Sequence, residues 1–159
     1  MGYYVRAFCT SEHIPSIKEL LEWAESQGCL LFVPDGTDLE ARDWDQLDIY
    51  YKKEKLPFLS EINRYQDDAE CLMRTEIEEF KEFLSEVRSF LNFGKTKVIN
   101  HLNKAKYIVA NQIPTSDFDD DGYNALGVYL QYFVKYCGGM VQADGEGFYE
   151  GNKLIVKLD

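Results

Sequence analysis

Four groups of residues in this chain have the types and spacing that chemistry needs. Asp117, Asp119 and Asp121 alternate along Asp117-Phe118-Asp119-Asp120-Asp121-Gly122. Hard cations take several oxygen ligands, and a glycine permits the tight turn that gathers them. The same acids also suit the first turn of a helix, where they face the positive end of its dipole. Trp44 and Asp45 stand in an acidic stretch with Asp35, Asp38, Glu40, Asp43 and Asp48. Asp144, Glu146, Phe148 and Tyr149, followed by Glu150, form a second acidic and aromatic group. Carboxylates beside aromatic rings suit a cationic ligand, through charge and cation–π contact, and suit a solvated loop equally well. Cys9 and His13 make a fourth group, a thiol ahead of a helix start, where a thiol pKa can fall. No third group to orient such a pair is identifiable.

The segment from Asp117 to Gly122 resembles the start of an EF-hand calcium loop, D-x-D-x-D-G. That resemblance implies Asp117, Asp119 and Asp121 as ligands and Gly122 at the turn. It covers six residues and departs from the pattern at the twelfth position, where Val128 replaces the bidentate glutamate.

Composition narrows the field. The 159 residues carry a formal net charge of −11, which opposes binding to a phosphate backbone or an anionic membrane surface. A basic protein or a cationic small molecule is the compatible partner. The charge is uneven: residues 35–92 hold 16 Asp/Glu against 8 Lys/Arg, whereas Lys95, Lys97, Lys104 and Lys106 form a basic patch with no acid among them. With 2 histidines a histidine-rich metal site is excluded. No G-x-S-x-G and no nucleotide-binding glycine loop is present. No cofactor is expected, and an enzyme is the less favoured reading. No apolar run approaches the roughly 18 residues of a membrane span. Cys9, Cys29, Cys71 and Cys137 lack C-x-x-C spacing, and no signal segment precedes Tyr3, so a reducing, cytoplasmic setting is expected.

The elements that must position these groups read as follows. Tyr3 to Cys9 is a strand. Thr10 and Ser11 are capping types, and Ile14, Ile17, Leu20, Leu21 and Ala24 predict a helix to about Gln27. The apolar run Cys29 to Val33 predicts a strand buried on both faces, and 34–45 a polar loop. Leu47, Ile49 and Tyr51 predict a half-exposed strand. Thr75-Glu76-Ile77-Glu78 matches a capping box, opening a helix whose stripe runs Ile77, Phe80, Phe83, Leu84, Val87, Phe90, Leu91. A short helix through Val98, Ile99 and Leu102 follows, then a strand at Tyr107 to Ala110. A helix over Ala125 to Val134 has an acidic start. Strands at Met140 to Ala143 and Leu154 to Leu158 close the chain, with a hairpin expected around Phe148 and Tyr149.

These predict a single α+β domain over residues 1–159, with helices packed on a mixed or antiparallel sheet. Two β-α-β-β units, 3–52 and 107–158, read as a pseudo-repeat joined by a helical connector over 54–106. In architecture alone the paired units are similar to the tandem modules of the gyrase-inhibitor-like ligand-binding family. That resemblance implies a cationic, often aromatic ligand between the halves, and it assigns no residue. The leading expectation is a non-enzymatic acidic binding protein, of inhibitor or immunity type, engaging a basic protein partner. The alternative is a small-molecule binder, with Trp44, Tyr149 and a carboxylate lining a cleft between the units.

Overall fold

The computed structural model describes residues 2–66, 71–87 and 93–158, with Phe93 described by its backbone alone. The elements run β1 (Tyr3–Cys9), α1 (Ile17–Ser26), β2 (Gln46–Ile49), β3 (Phe58–Arg64), α2 (Leu72–Glu86), α3 (Phe93–Lys104), β4 (Tyr107–Ile113), α4 (Asp120–Tyr136), β5 (Gly139–Ala143), β6 (Gly147–Glu150) and β7 (Lys153–Lys157). β1 and β4 pair antiparallel along their whole length, from Tyr3 opposite Ile113 to Cys9 opposite Tyr107. Both bury side chains on two faces, because successive residues of a strand point to opposite sides. Val5, Ala7 and Cys9 join Tyr107 and Val109 in one core, while Phe8 and Ile108 enter the other.

The remaining strands extend this pair into one sheet of order β2-β3-β4-β1-β5-β6-β7, antiparallel at every pairing. α1 and α4 cover one face, presenting Ile17, Leu20 and Ala24 from α1 and Leu126, Tyr129 and Phe133 from α4. α2 and α3 cover the other, with Phe80, Leu84, Val98 and Leu102. The chain is thus a single α+β domain of three layers, helices on both sides of an antiparallel sheet.

Several sequence expectations change. α1 starts at Ile17, after Pro15, with Ser16 and Glu19 forming a capping box: Glu19 N–H donates to Ser16 Oγ at 3.2 Å and Ser16 N–H to Glu19 Oε2 at 3.3 Å. Thr10, read as a cap, instead lies against the turn at Gly138, donating from its backbone N–H to Gly138 O at 3.3 Å. α2 starts at Leu72, so the Thr75 box is not used; Thr75 Oγ1 donates back to Cys71 O at 3.2 Å. Phe90 and Leu91, placed on the same stripe, lie outside the described residues.

Cys29 to Val33 is not a central strand. It contributes one isolated bridge, Phe32 opposite Tyr50, beside edge strand β2. The centre of the sheet has no vacancy, since β4 and β5 occupy both flanks of β1. Leu30 is accordingly 61% exposed and Phe32 40%, while Leu31 alone of the three is buried. In its place the unread strand is β3. Phe58, Ser60 and Ile62 share its buried face, and the hydroxyl of Ser60 broke the apolar alternation. That hydroxyl is satisfied by Tyr129 Oη at 2.7 Å.

The tandem β-α-β-β units are not confirmed as a repeat. Two helical crossovers are related in direction: β4 leads through α4 to β5, which flanks β1, and β1 leads through α1 toward β3, which flanks β4. In the second half the inner strand, β5, comes first and its hairpin partner β6 lies outside. In the first half the outer strand, β2, comes first and the inner one, β3, second. The tandem β-α-β-β reading therefore matched a segment beside the sheet edge with a strand in its interior.

The β5–β6 turn gives a test of this packing. Gly145 has φ +75° with open space at its Cβ position, whereas Gly147 has φ +139° and a Cβ there would lie 1.9 Å from Val156 O. Gly145→Ala is expected to cost about 1 kcal/mol from backbone strain, and Gly147→Ala about 3 kcal/mol or more, because the β6–β7 ladder must also move. Denaturant titration of both variants checks this; equal losses would contradict the close approach at Gly147.

Candidate functional site

The acidic and aromatic groups singled out in the sequence fall in separate places. Trp44 is buried, with its Nε1–H donating to Pro15 O at 3.0 Å, and it serves the core under α1. Asp45 is exposed and paired with Arg64, which also donates to Trp44 O at 2.9 Å. Both lie at the β2 end of the sheet, and β3, β4 and β1 stand between β2 and β5.

Asp117, Asp119 and Asp121 lie together at the start of α4, where lysines meet them. Asp119 caps the helix, accepting from Gly122 N–H at 3.0 Å, and Lys52 reaches Asp119 at 3.4 Å and Asp121 at 2.6 Å. Asp117 accepts from Leu56 N–H at 2.8 Å and pairs with Lys55 at 3.5 Å. Burial pushes the Asp119 carboxyl up, but the Gly122 N–H, the Tyr51 hydroxyl and Lys52 together hold it below its ordinary value. Among the described residues, no three His, Cys, Asp or Glu side chains converge as a metal site.

Glu146 and Tyr149 come together with Tyr3 at the β5–β6 end, while Asp144 belongs to the Arg6 group. Tyr3 and Tyr149 donate their hydroxyls to Glu146, at 2.7 and 2.5 Å. Phe148 is fully buried instead, with its ring centroid 5.8 Å from that of Phe8 and 5.5 Å from that of Phe80. Asp144 accepts from Arg6 Nη1 at 2.8 Å, Tyr4 N–H at 3.1 Å and Gln142 Nε2 at 3.1 Å.

Arg6 is the residue that sequence reading passed over. It sits in the central strand on the α2 side, and its signal was visible: one charge inside an otherwise apolar strand. Its guanidinium lies between the Tyr4 and Phe80 rings, 5.1 and 5.3 Å from their centroids, and Nη1 also donates to Gln142 Oε1 at 2.8 Å. Glu76 of α2 approaches from the other side, its Oε2 3.5 Å from Arg6 Nε, and these two buried atoms have no hydrogen-bond partner. Burial raises the Glu76 carboxyl above its ordinary value; Arg6 opposes this, and Glu79, Glu61 and Asp144 add to it.

Beside this cluster lies a groove of about 620 Å³, between the C-terminal half of α2 and the β5 and β7 ends. Phe80, Phe83 and Val87 form one wall, Gln142, Asp144 and Gly145 the other, and Lys157 and Leu158 close it. Phe83, assigned by periodicity to the buried stripe, is 52% exposed. On the outer face of α2, Glu78, Glu79, Glu82 and Glu86 are exposed and have no ion-pair partner among the described residues. Some other carboxylates are matched by cations, Glu19 by Arg42, Asp45 by Arg64 and Glu150 by Lys97, while Asp35, Asp38, Asp43 and Glu54 also have no ion-pair partner among the described residues. Four carboxylates without ion-pair partners thus share the outer face of α2, next to an aromatic groove.

Thiol chemistry finds no support. Burial pushes the Cys9, Cys29 and Cys137 thiols up, away from the thiolate form a nucleophile needs. No protein-family model, curated protein or solved structure matches this chain. Among the described residues, no helix is long and apolar enough to cross a membrane.

The Arg6 cluster yields a signed prediction. A carboxyl raised in the folded state adds stability as pH falls through its titration, the reverse of lowered Asp119. Glu76→Gln is expected to be neutral or stabilising by about 1 kcal/mol at neutral pH, with the difference from wild type vanishing as pH is lowered toward the carboxylate range. Arg6→Leu leaves Asp144 and Glu76 uncompensated and is expected to cost about 3 kcal/mol or more. Thermal melts across pH check both; a Glu76→Gln gain that grows on acidification would contradict the assignment.

Proposed function

We propose that this chain is a non-enzymatic acidic binding protein, of inhibitor or immunity type, whose α2 face engages a basic protein partner. The observation that carries this reading is the set Glu78, Glu79, Glu82 and Glu86, exposed without cationic partners around the exposed Phe83. Separated like charges on one helix destabilise it slightly when unpartnered, and a surface of opposite sign relieves them. The charges steer the encounter, and the groove beside Phe83 takes an apolar or aliphatic side chain of the partner, where desolvated contact holds the complex. A Lys or Arg whose aliphatic stem lies on Phe83 while its head meets Glu86 combines both terms.

A second reading is favoured by the groove itself. Two phenylalanines and Val87 beside Glu86 suit a small molecule with an aromatic body and a cationic group, and about 620 Å³ lies within the range of small-molecule sites. This relocates the cleft from the interval between the two halves of the chain to the space between α2 and the sheet.

The two readings separate in one set of measurements. For the protein partner, wild type and a Glu78→Lys/Glu82→Lys variant are used as baits at low and high salt. A basic protein that is retained by wild type, lost with the variant and released at high salt is expected, with the association rate lowered roughly tenfold or more by the charge reversal. Capture that is identical for the two baits, or that survives high salt unchanged, refutes the electrostatic docking. For the small molecule, a thermal shift with cationic aromatic compounds that is lost in Phe83→Ala supports the second reading.

A further inference from the structure

A second cleft, of about 510 Å³, lies on the opposite side of α3 from the sheet-packing residues Val98 and Leu102. Lys97, Asn100, His101 and Lys104 line it, and their spacing places them on one helix face. The facing wall is the turn at Gly138 and Gly139 with Thr10, and Tyr149 and Glu150 close the end. The fold builds this wall by close contact: Gly138 has φ +63°, and a Cβ there would lie 2.1 Å from Thr10 Oγ1.

The cleft's charge is opposite to that of the chain. Lys97 is paired with Glu150, the one acid in the lining. Lys104 has no ion-pair partner among the described residues. His101 Nε2 lies 2.7 Å from Phe8 O, and since a carbonyl only accepts, that nitrogen carries the hydrogen. With that hydrogen committed to the strand, His101 forms part of the cleft wall. Two ammonium groups and the Asn100 amide thus share one concave space, while the Thr10 hydroxyl donates to Gly138 O at 3.4 Å. Position in the last turn of α3, where a cation complements the helix dipole, accounts for Lys104 as a charge. It does not account for the cleft opposite it.

A phosphoryl group offers three oxygens and close to two charges, which these donors match better than they match a two-oxygen carboxylate. The volume exceeds that of phosphate alone, and Val134, Met140 and Tyr149 supply an apolar side for an organic body. We propose that this cleft binds a small phosphorylated organic molecule, its phosphoryl oxygens held by Lys104 and Asn100, with Lys97 shared between the ligand and Glu150. The site is distinct from the α2 groove and stands or falls separately from the function proposed for it.

The test is an amide chemical-shift titration of the full chain with phenyl phosphate and, in parallel, with inorganic phosphate and with chloride at matched ionic strength. Phenyl phosphate is expected to move the amides of Lys97, Asn100, His101, Gly138 and Gly139 and to bind more tightly than inorganic phosphate. Lys104→Glu is expected to weaken it roughly tenfold or more, while Lys106→Glu, the same charge change outside the cleft, leaves affinity within about twofold. Equal weakening in both variants, shifts reproduced by chloride, or phenyl phosphate no tighter than inorganic phosphate would each overturn the proposal. Both lysines are exposed, so both variants are expected to fold, which circular dichroism verifies.

Discussion

The structure depends on the pairing of β1 with β4 at the centre of a sheet that is covered on both faces. A strand in that position has no solvent side, so every side chain must be apolar or compensated. Val5, Ala7, Phe8 and Cys9 meet the first condition. Arg6 meets the second, and the cost of burying it organises its surroundings: Asp144 and Gln142 come from β5 and the residue beyond its end, Tyr4 and Phe80 enclose the guanidinium, and Glu76 anchors α2. α2 is held on this face by Met73, Phe80 and Leu84, and its Glu76 lies beside Arg6.

Much of the fold was legible because periodicity and burial agreed. β1, β4, α3, α4 and the β5–β7 meander carry apolar residues at the spacing of their element and were readable as such. Failures came where a polar group entered a core or an apolar run stayed outside one. Ser60 concealed β3 because its hydroxyl is paid for by Tyr129, a partner far along the chain that local pattern cannot supply. Cys29 to Val33 looked central because apolar runs suit buried strands, yet strand order decides which run is admitted, and strand order is a long-range property. The α2 start was misplaced because Thr75-x-x-Glu78 is a valid cap that the chain does not use.

The candidate site was legible only in fragments. Asp144, Glu146 and Tyr149 are legible through the Asp-Gly turn, and Tyr149 and Glu146 share a hydrogen bond while Asp144 pairs with Arg6. Their grouping with Trp44 and Asp45 rested on the repeat, and three strands lie between the two sets. Phe148 was read as exposed chemistry and is core. Arg6, Glu76 and Phe80 were visible as residue types, but their meeting across β1 and α2 is tertiary. The acids from Asp117 to Asp121 show how neutralisation escapes a local reading, because Lys52 and Lys55 arrive from the β2–β3 connection.

The register of β1 has a bearing on how the chain reaches this state. Cys9 pairs with Tyr107, and Val5 pairs with both Asn111 and Ala143, so neither neighbour of the first strand is local. During synthesis β1 leaves the ribosome before either of its partners, and its edges stay unpaired until β4 and β5 have been made. Topologies dominated by such distant pairings fold slowly, because loop closure must be completed before the contacts that reward it form. The first strand made is therefore among the last to be secured, and deleting the C-terminal meander would strip β1 of one flank and expose its edge to other chains.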